Sequence, residues 1–309
     1  LKFGCSGRLL LVLLIAFTAL ALFSVVIGGL IASDPFVKPP KPEIPAEVIG
    51  HLGPLPVSNT MLTAWITVLV LVILGVAATR KMKLIPNGRS LQNLVEWGIE
   101  KLLNLVEGVV GHERGRKFFP FIATLFLFIF ANAWLGLLPG YGSIEVHQVH
   151  DGKEVAVPLL RAANTDLNLT LALAFASFIF VEALGFSYNG FFGYAKKFVN
   201  LGALGKGFGN LFTGKIKAGL NGIFMGIIEA FVGIVEFISE IVRLVSFSFR
   251  LFGNMIAGEI LLLVMFFLVP FVVPVLFYGL ETMVGLIQAM IFAMLTLVFA
   301  SMATTKHEH

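Results

Sequence analysis

From about Gly222 to Val269 the sequence runs almost unbroken in apolar residues. At roughly 1.5 Å per residue a helix over this stretch is too long for one perpendicular membrane span. It must tilt strongly or lie partly along the bilayer. Further apolar runs, from about Leu9 to Ala32, Thr60 to Ala78, Phe118 to Leu138, Leu167 to Phe186 and Val275 to Met302, reach or approach the ~20 residues that cross a hydrocarbon core. They are too long and too continuously apolar for barrel strands, and a lipid-facing backbone must satisfy its own hydrogen bonds. The expected fold is therefore an all-α integral membrane protein, a multi-span helical bundle with a long, strongly tilted C-terminal helix hairpin. Charged residues make up 13% of the 309, against roughly 25% in a soluble domain.

The cations divide the loops into two classes. Arg80, Lys81 and Lys83 close the second run, Arg114, Arg116 and Lys117 precede the third, and Lys196, Lys197, Lys206, Lys215 and Lys217 lie between the fourth and fifth. The positive-inside rule puts these on the cytoplasmic side, together with the C-terminal tail Lys306-His307-Glu308-His309. The same rule accounts for the net charge of +4, so no nucleic-acid partner is expected. Glycines and lysines near Lys196 to Lys217 match no P-loop spacing. Cys5, the single cysteine, cannot form an intrachain disulfide.

Lys2 and Arg8 precede the first run, which reads as a signal peptide or a first membrane helix; its length favours the helix. Ser33 to Ser58, with Pro35, Pro39, Pro40, Pro42 and Pro45, reads as an extended linker outside the membrane. From Ser90 to Val110, Leu91, Leu94, Val95, Leu102, Val106 and Val109 recur at helical spacing between charged residues. That pattern predicts an amphipathic helix, on the membrane surface, covering a partner or packed on its own bundle. Glu145 to His150 and Lys153 to Val157 flank Asp151-Gly152 and predict a β-hairpin on the outer side. His147, His150 and Asp151 have metal-ligand chemistry, but exposed hairpin side chains are the ordinary reading and no metal or other cofactor is expected. Pro270 and Pro274 are expected to break the long apolar tract.

The chemistry concentrates in the last two long runs. At about 100° per residue, Glu236, Ser239, Arg243, Ser246, Arg250 and Asn254 share one face of a helix. Interhelical hydrogen bonding alone could explain a short polar stripe; this one is long and contains a deep arginine, which costs about 2.5–3.5 kcal/mol at a bilayer centre. Glu259 lies about 13.5 Å further along, on roughly the opposite face. Glu281 and Gln288, seven residues apart, share a face of the last helix. Arginine stays protonated, so Arg250 serves as a fixed charge that attracts a passing carboxylate and favours its ionised form. Glutamate can load and release protons. Offset carboxylates about a central fixed cation suggest two access paths that do not connect directly.

Ser248-Phe249-Arg250-Leu251-Phe252-Gly253-Asn254-Met255-Ile256-Ala257-Gly258-Glu259 resembles the signature of subunit a of the F-type ATP synthase. Gln288-Ala289-Met290-Ile291-Phe292 with Ser301-Met302-Ala303 is similar to that family's last helix, and Asn132 before Leu137-Leu138-Pro139 and Asp166-Leu167-Asn168-Leu169-Thr170 fit its middle spans. The resemblance covers roughly residues 60 to 305. It divides the chain into an N-terminal apolar segment with its linker (1–58) and a subunit a membrane domain (59–309). It implies a multi-pass protein of a bacterial-type inner or plasma membrane, a stator beside the c-ring, with peripheral-stalk b subunits and membrane lipid as further partners. The implied ion is H⁺, with Na⁺ the alternative. Arg250 would face the ring carboxylates, Glu259, Glu281, Gln288 and Asn254 would line the half-channel open to the outside, and Glu236, Ser239 and Ser246 the cytoplasmic one. Nucleotide chemistry belongs to other subunits. Two positions depart from the family pattern: Leu244 stands where proline is frequent, and Glu281 where histidine often accompanies a glutamate at the position of Glu259. If Glu259 and Glu281 are close they should titrate as a coupled pair. The residue chemistry alone leaves two other classes open, a self-contained secondary transporter and a structural scaffold; paired broken helices in two matching halves, the mark of many transporters, are missing from the sequence.

Overall fold

The computed structural model describes residues 45–80, 90–138, 141, 144–150, 153–190, 194, 205, 209–210, 216–268 and 273–305. The first apolar run, Lys81 and Lys83, the Asp151-Gly152 turn, Lys196, Lys197, Lys206 and Lys215, and the tail from Lys306 lie outside them. The elements are β1 (Val48–Leu52), β2 (Leu55–Ser58), α1 (Asn59–Thr79), α2 (Leu91–Val110), α3 (His112–Gly136), β3 (Glu145–His150), β4 (Lys153–Pro158), α4 (Leu167–Asn189), α5 (Ile216–Leu268) and α6 (Val273–Ala303), with a short 3₁₀ turn at Ala163–Thr165. Five of the helices, α1 and α3 to α6, are long and apolar enough to cross a membrane. The 53 residues of α5 extend about 80 Å, more than twice a ~30 Å hydrocarbon core.

Local signals explain the boundaries. Ser58 Oγ accepts from Met61 N at 3.2 Å and opens α1. Ser90 caps α2 by accepting from Asn93 N at 3.3 Å, and Gly111, at φ +84°, ends it where an L side chain would be strained. Both β-hairpins are antiparallel, β1 with β2 and β3 with β4, the latter in register from Glu145 opposite Pro158 to His150 opposite Lys153.

Several sequence expectations need correction. The described end of the proline-rich linker is not extended: residues 48–58 fold back as the β1–β2 hairpin, with Gly53 at φ +66° in the connection. The third helix begins at His112, not Phe118, so Arg114, Arg116 and Lys117 belong to its first turns. Pro274 does not break a helix but stands in the first turn of α6, where a missing N–H costs nothing. The α2 helix packs on its own bundle through Val106, which joins a buried cluster, while Leu94 and Trp97 are exposed.

The chain divides into two compact units. One takes residues up to Val70, Phe128–Asp166 and Phe252–Gln288. In lipid there is no hydrophobic drive between helices, so close packing and interhelical hydrogen bonds must hold them. Here Asn132, fully buried, accepts from Thr67 Oγ1 at 2.7 Å and donates to Phe128 O at 3.1 Å. A Cβ on Gly285 would lie 2.9 Å from Ala133 Cβ, so glycine lets α3 and α6 approach. The other unit takes Leu71–Leu127, Leu167–Leu251 and Ala289–His309. Its core gathers Val106, Phe118, Ile122, Val181, Ala293, Leu297 and Ala300. Ser177 and Thr296 share a buried hydrogen bond of 2.7 Å, Thr170 and Ser248 one of 3.1 Å.

Candidate functional site

In the second unit, Arg250 is exposed on α5. Among the described residues it has no ion pair and no hydrogen bond. It borders an open cavity of about 510 Å³ whose polar wall is Ser239, Arg243, Ser246 and Arg250 and whose apolar wall includes Phe247, Leu295 and Phe299. The helical stripe read from the sequence is thus a groove wall over four of its members, Ser239, Arg243, Ser246 and Arg250. Ser239 is partly spoken for, donating to Val235 O at 2.8 Å. Glu236, half-buried one turn earlier, is not among the lining residues.

The first unit gathers the other candidates. Asn254 Nδ2 donates to Gln288 Oε1 at 2.9 Å, joining α5 to α6. Glu281 is 4% exposed, and its Oε1 has no hydrogen-bond partner among the described residues. Its carboxyl group lies against the backbone of Gly258, in the space that a Cβ there would need. Any side chain at 258 would displace that carboxyl, so the glycine before Glu259 is a requirement of the site and not only of helix packing.

Glu259 meets Arg161. Arg161 Nε donates to Glu259 Oε1 at 3.1 Å, Nη2 donates to Oε2 at 3.0 Å, and Nη1 donates to Pro45 O at 3.2 Å. The planar guanidinium suits this two-point contact. Arg161 is 9% exposed, whereas the Glu259 side chain is 39% exposed. Glu259 is thus charge-paired to Arg161, and Glu281 packs against Gly258. Sequence reasoning missed Arg161; its one signal is that it ends a cation-poor loop. It also left Glu240 and Arg243 out of the candidate site. Glu240 is 3% exposed and meets Arg243 Nη1 at 2.8 Å, a pair that i,i+3 spacing makes legible.

The described residues therefore present two chemically distinct sets: a buried carboxyl beside hydrogen-bonded amides and an ion-paired carboxylate, and an open groove edged by an unpaired cation and two hydroxyls. No group of three or more His, Cys, Asp or Glu among the described residues is arranged to hold a metal.

Residues 61–301 match the ATP synthase A chain family. ATP synthase subunit a of Gloeobacter violaceus is 32% identical over 267 residues, covering 86% of this chain and 92% of that protein. The subunit a of Moorella thermoacetica is 29% identical over 266 residues, covering 86% and 98%. That of Campylobacter jejuni subsp. doylei is 32% identical over 237 residues, covering 76% and 85%.

Proposed function

The chain belongs to the ATP synthase subunit a family, the proton-translocating stator of the Fo sector, and from that premise we propose that Arg250 is the fixed charge against which the carboxylates of a rotating c-ring exchange their protons. One observation carries this reading: an arginine inside a candidate membrane helix, exposed, beside an open groove, and without an anionic partner among the described residues. Such a cation calls for a counter-charge, and a carboxylate on a neighbouring chain is the natural one.

The steps follow from residue chemistry. Arginine does not give up its proton, so it cannot pass one on. It attracts the ionised ring carboxylate and gives a protonated one no ion pair. A ring carboxylate therefore leaves Arg250 by accepting a proton from one path, and returns to it after releasing a proton to the other. The cation blocks a direct leak between the paths, and rotation becomes the only route. Each proton brings about 2.3 kcal/mol per 100 mV of membrane potential.

Glu281, Gln288, Asn254 and Glu259 form the path open to the outside. Glu281 is the group in it that can take up and hand on a proton, Asn254 and Gln288 carry the hydrogen-bonded route, and Glu259 is held by Arg161. Ser239 and Ser246, with the groove beside Arg250, form the path to the cytoplasm, and Glu236 lies at its approach. The positive-inside rule orients the chain with its C-terminus in the cytoplasm, in a bacterial-type inner or plasma membrane. The peripheral-stalk b subunits and lipid cover other faces.

The test is ATP-driven proton pumping in vesicles holding the assembled complex, native against Arg250→Ala. Loss of pumping with the complex assembled is the expected result. Unchanged pumping would return the polar stripe to helix packing.

A further inference from the structure

The groove beside Arg250 carries a second cation. Arg243 lies seven residues earlier on α5, which puts it on the same face and about 10 Å away along the axis. Its guanidinium carbon sits 3.7 Å from the centre of the Phe299 ring, on the apolar wall of the groove. A bare arginine there would offer a ring carboxylate a second place to rest. Its field, in a groove walled by apolar side chains, would also oppose the passage of protons.

Glu240 answers that charge. Its carboxylate is 3% exposed and meets Arg243 Nη1 at 2.8 Å, while Arg243 itself is 18% exposed. Glu240 does not line the groove; Arg243 does. The pair therefore shows the groove its cationic side and keeps the anion behind it. A second carboxylate lies near: Tyr194, on which Glu240 and Arg243 both act, donates to Glu182 Oε1 at 3.2 Å. Burial and the neighbouring carboxylates Glu182 and Glu240 push the Tyr194 phenol well up, so it stays a protonated donor.

We infer that Glu240 is a positioning residue of the Arg250 groove: ion-paired to Arg243, it compensates the second cation and leaves Arg250 as the uncompensated charge, among the described residues, that a passing carboxylate meets. This inference rests on the proposed role of Arg250 and adds to it a condition, that one arginine of the groove be neutralised from behind.

The experiment measures ATP-driven pumping in vesicles of the assembled complex with E240Q, with E240Q/R243Q, and with R250A as reference. E240Q should pump roughly tenfold more slowly, the size of a unit charge's effect at about 10 Å in a medium of effective dielectric about 20. E240Q/R243Q should recover several-fold of the rate lost in E240Q, because it removes the cation that E240Q exposed. A single variant that assembles only when R243Q accompanies it supports the same conclusion. Native-like pumping by E240Q overturns the proposal. So does a double variant as slow or as poorly assembled as the single one, which is what a purely structural Glu240 would give. Failure of the underlying reading is separate, since it appears as unchanged pumping in R250A.

Discussion

Glu281, proposed to handle protons in the outer path, differs from its neighbours in what surrounds it. Glu259 is committed to Arg161 by two hydrogen bonds. Glu281 is buried, one of its oxygens has no hydrogen-bond partner among the described residues, and the chain has placed a glycine where any side chain would collide with it. Glu281→Gln keeps the volume and removes the exchangeable proton. Its proton flow should fall on the order of 10²-fold, as when a positioned acid–base group is lost, while the complex assembles normally; pumping at the native rate would remove Glu281 from the relay. Arg161→Gln acts differently. It strands a carboxylate that is 39% exposed, so the cost should be about 1–2 kcal/mol, less than the ~3–5 kcal/mol of breaking a fully buried pair. Thermal dissociation of the assembled complex measures it, and an unshifted midpoint would show that the pair contributes nothing to stability. Arg161 and Glu259 are 98 residues apart in sequence, which is why periodicity could not join them. The candidate site residues named on α5 and α6 were legible because a charge or amide in a long apolar helix stands out by itself; Glu240 and Arg243 were not among them. What escaped was the partner, which comes from a loop where a cation is unremarkable.

Elements were read well where one local signal decides them. Ser90 and Gly111 bound α2, and the two alternating runs pair as the expected β3–β4 hairpin. The start of α3 was missed because its first turns are basic, and hydropathy marks where lipid begins, not where helical hydrogen bonding begins. That basic turn has a structural purpose at the α2–α3 corner. Glu107 meets His112 Nδ1 at 2.9 Å and accepts from Arg116 Nε at 3.2 Å. Its carboxyl is held below its ordinary value of 4.5, first by the hydrogen bond with His112 and then, against some desolvation, by that with Arg116. A depressed carboxyl stabilises the fold above its unfolded value, and that contribution is lost as pH falls through the folded value. The corner should therefore hold at neutral and mildly acidic pH and loosen only below 4.5. Hydrogen exchange at the amides of residues 111–117 reports it, and Glu107→Gln should abolish the acid dependence. An acid-induced loosening unchanged in that variant would assign it to other groups.

Across the molecule, the described residues leave the Arg250 charge without a counter-ion. An arginine that met lipid in this setting would cost about 2.5–3.5 kcal/mol or more, and no anion among the described residues meets Arg250. The exposed face of α5 beside it is apolar, with Val242, Val245 and Phe249 open, so the surface offers one charge and a hydrophobic surround to whatever covers it. On the proposed function, the described residues hold half of a translocation device: groups that can deliver and receive protons, and a fixed cation, with no carrier among them to move between the paths. A transporter complete in one chain would need that carrier within its own bundle. The two readings separate in vesicles containing this chain alone, under a potential of about 100 mV that drives each charge by about 2.3 kcal/mol. The chain by itself should conduct protons no faster than empty vesicles, and conduction should appear when the c-ring is assembled with it and vanish again when the ring carboxylates are neutralised. Sustained proton flux through the isolated chain would show that its two paths connect without a rotor, and the role proposed for Arg250 as the barrier between them would fall with that result.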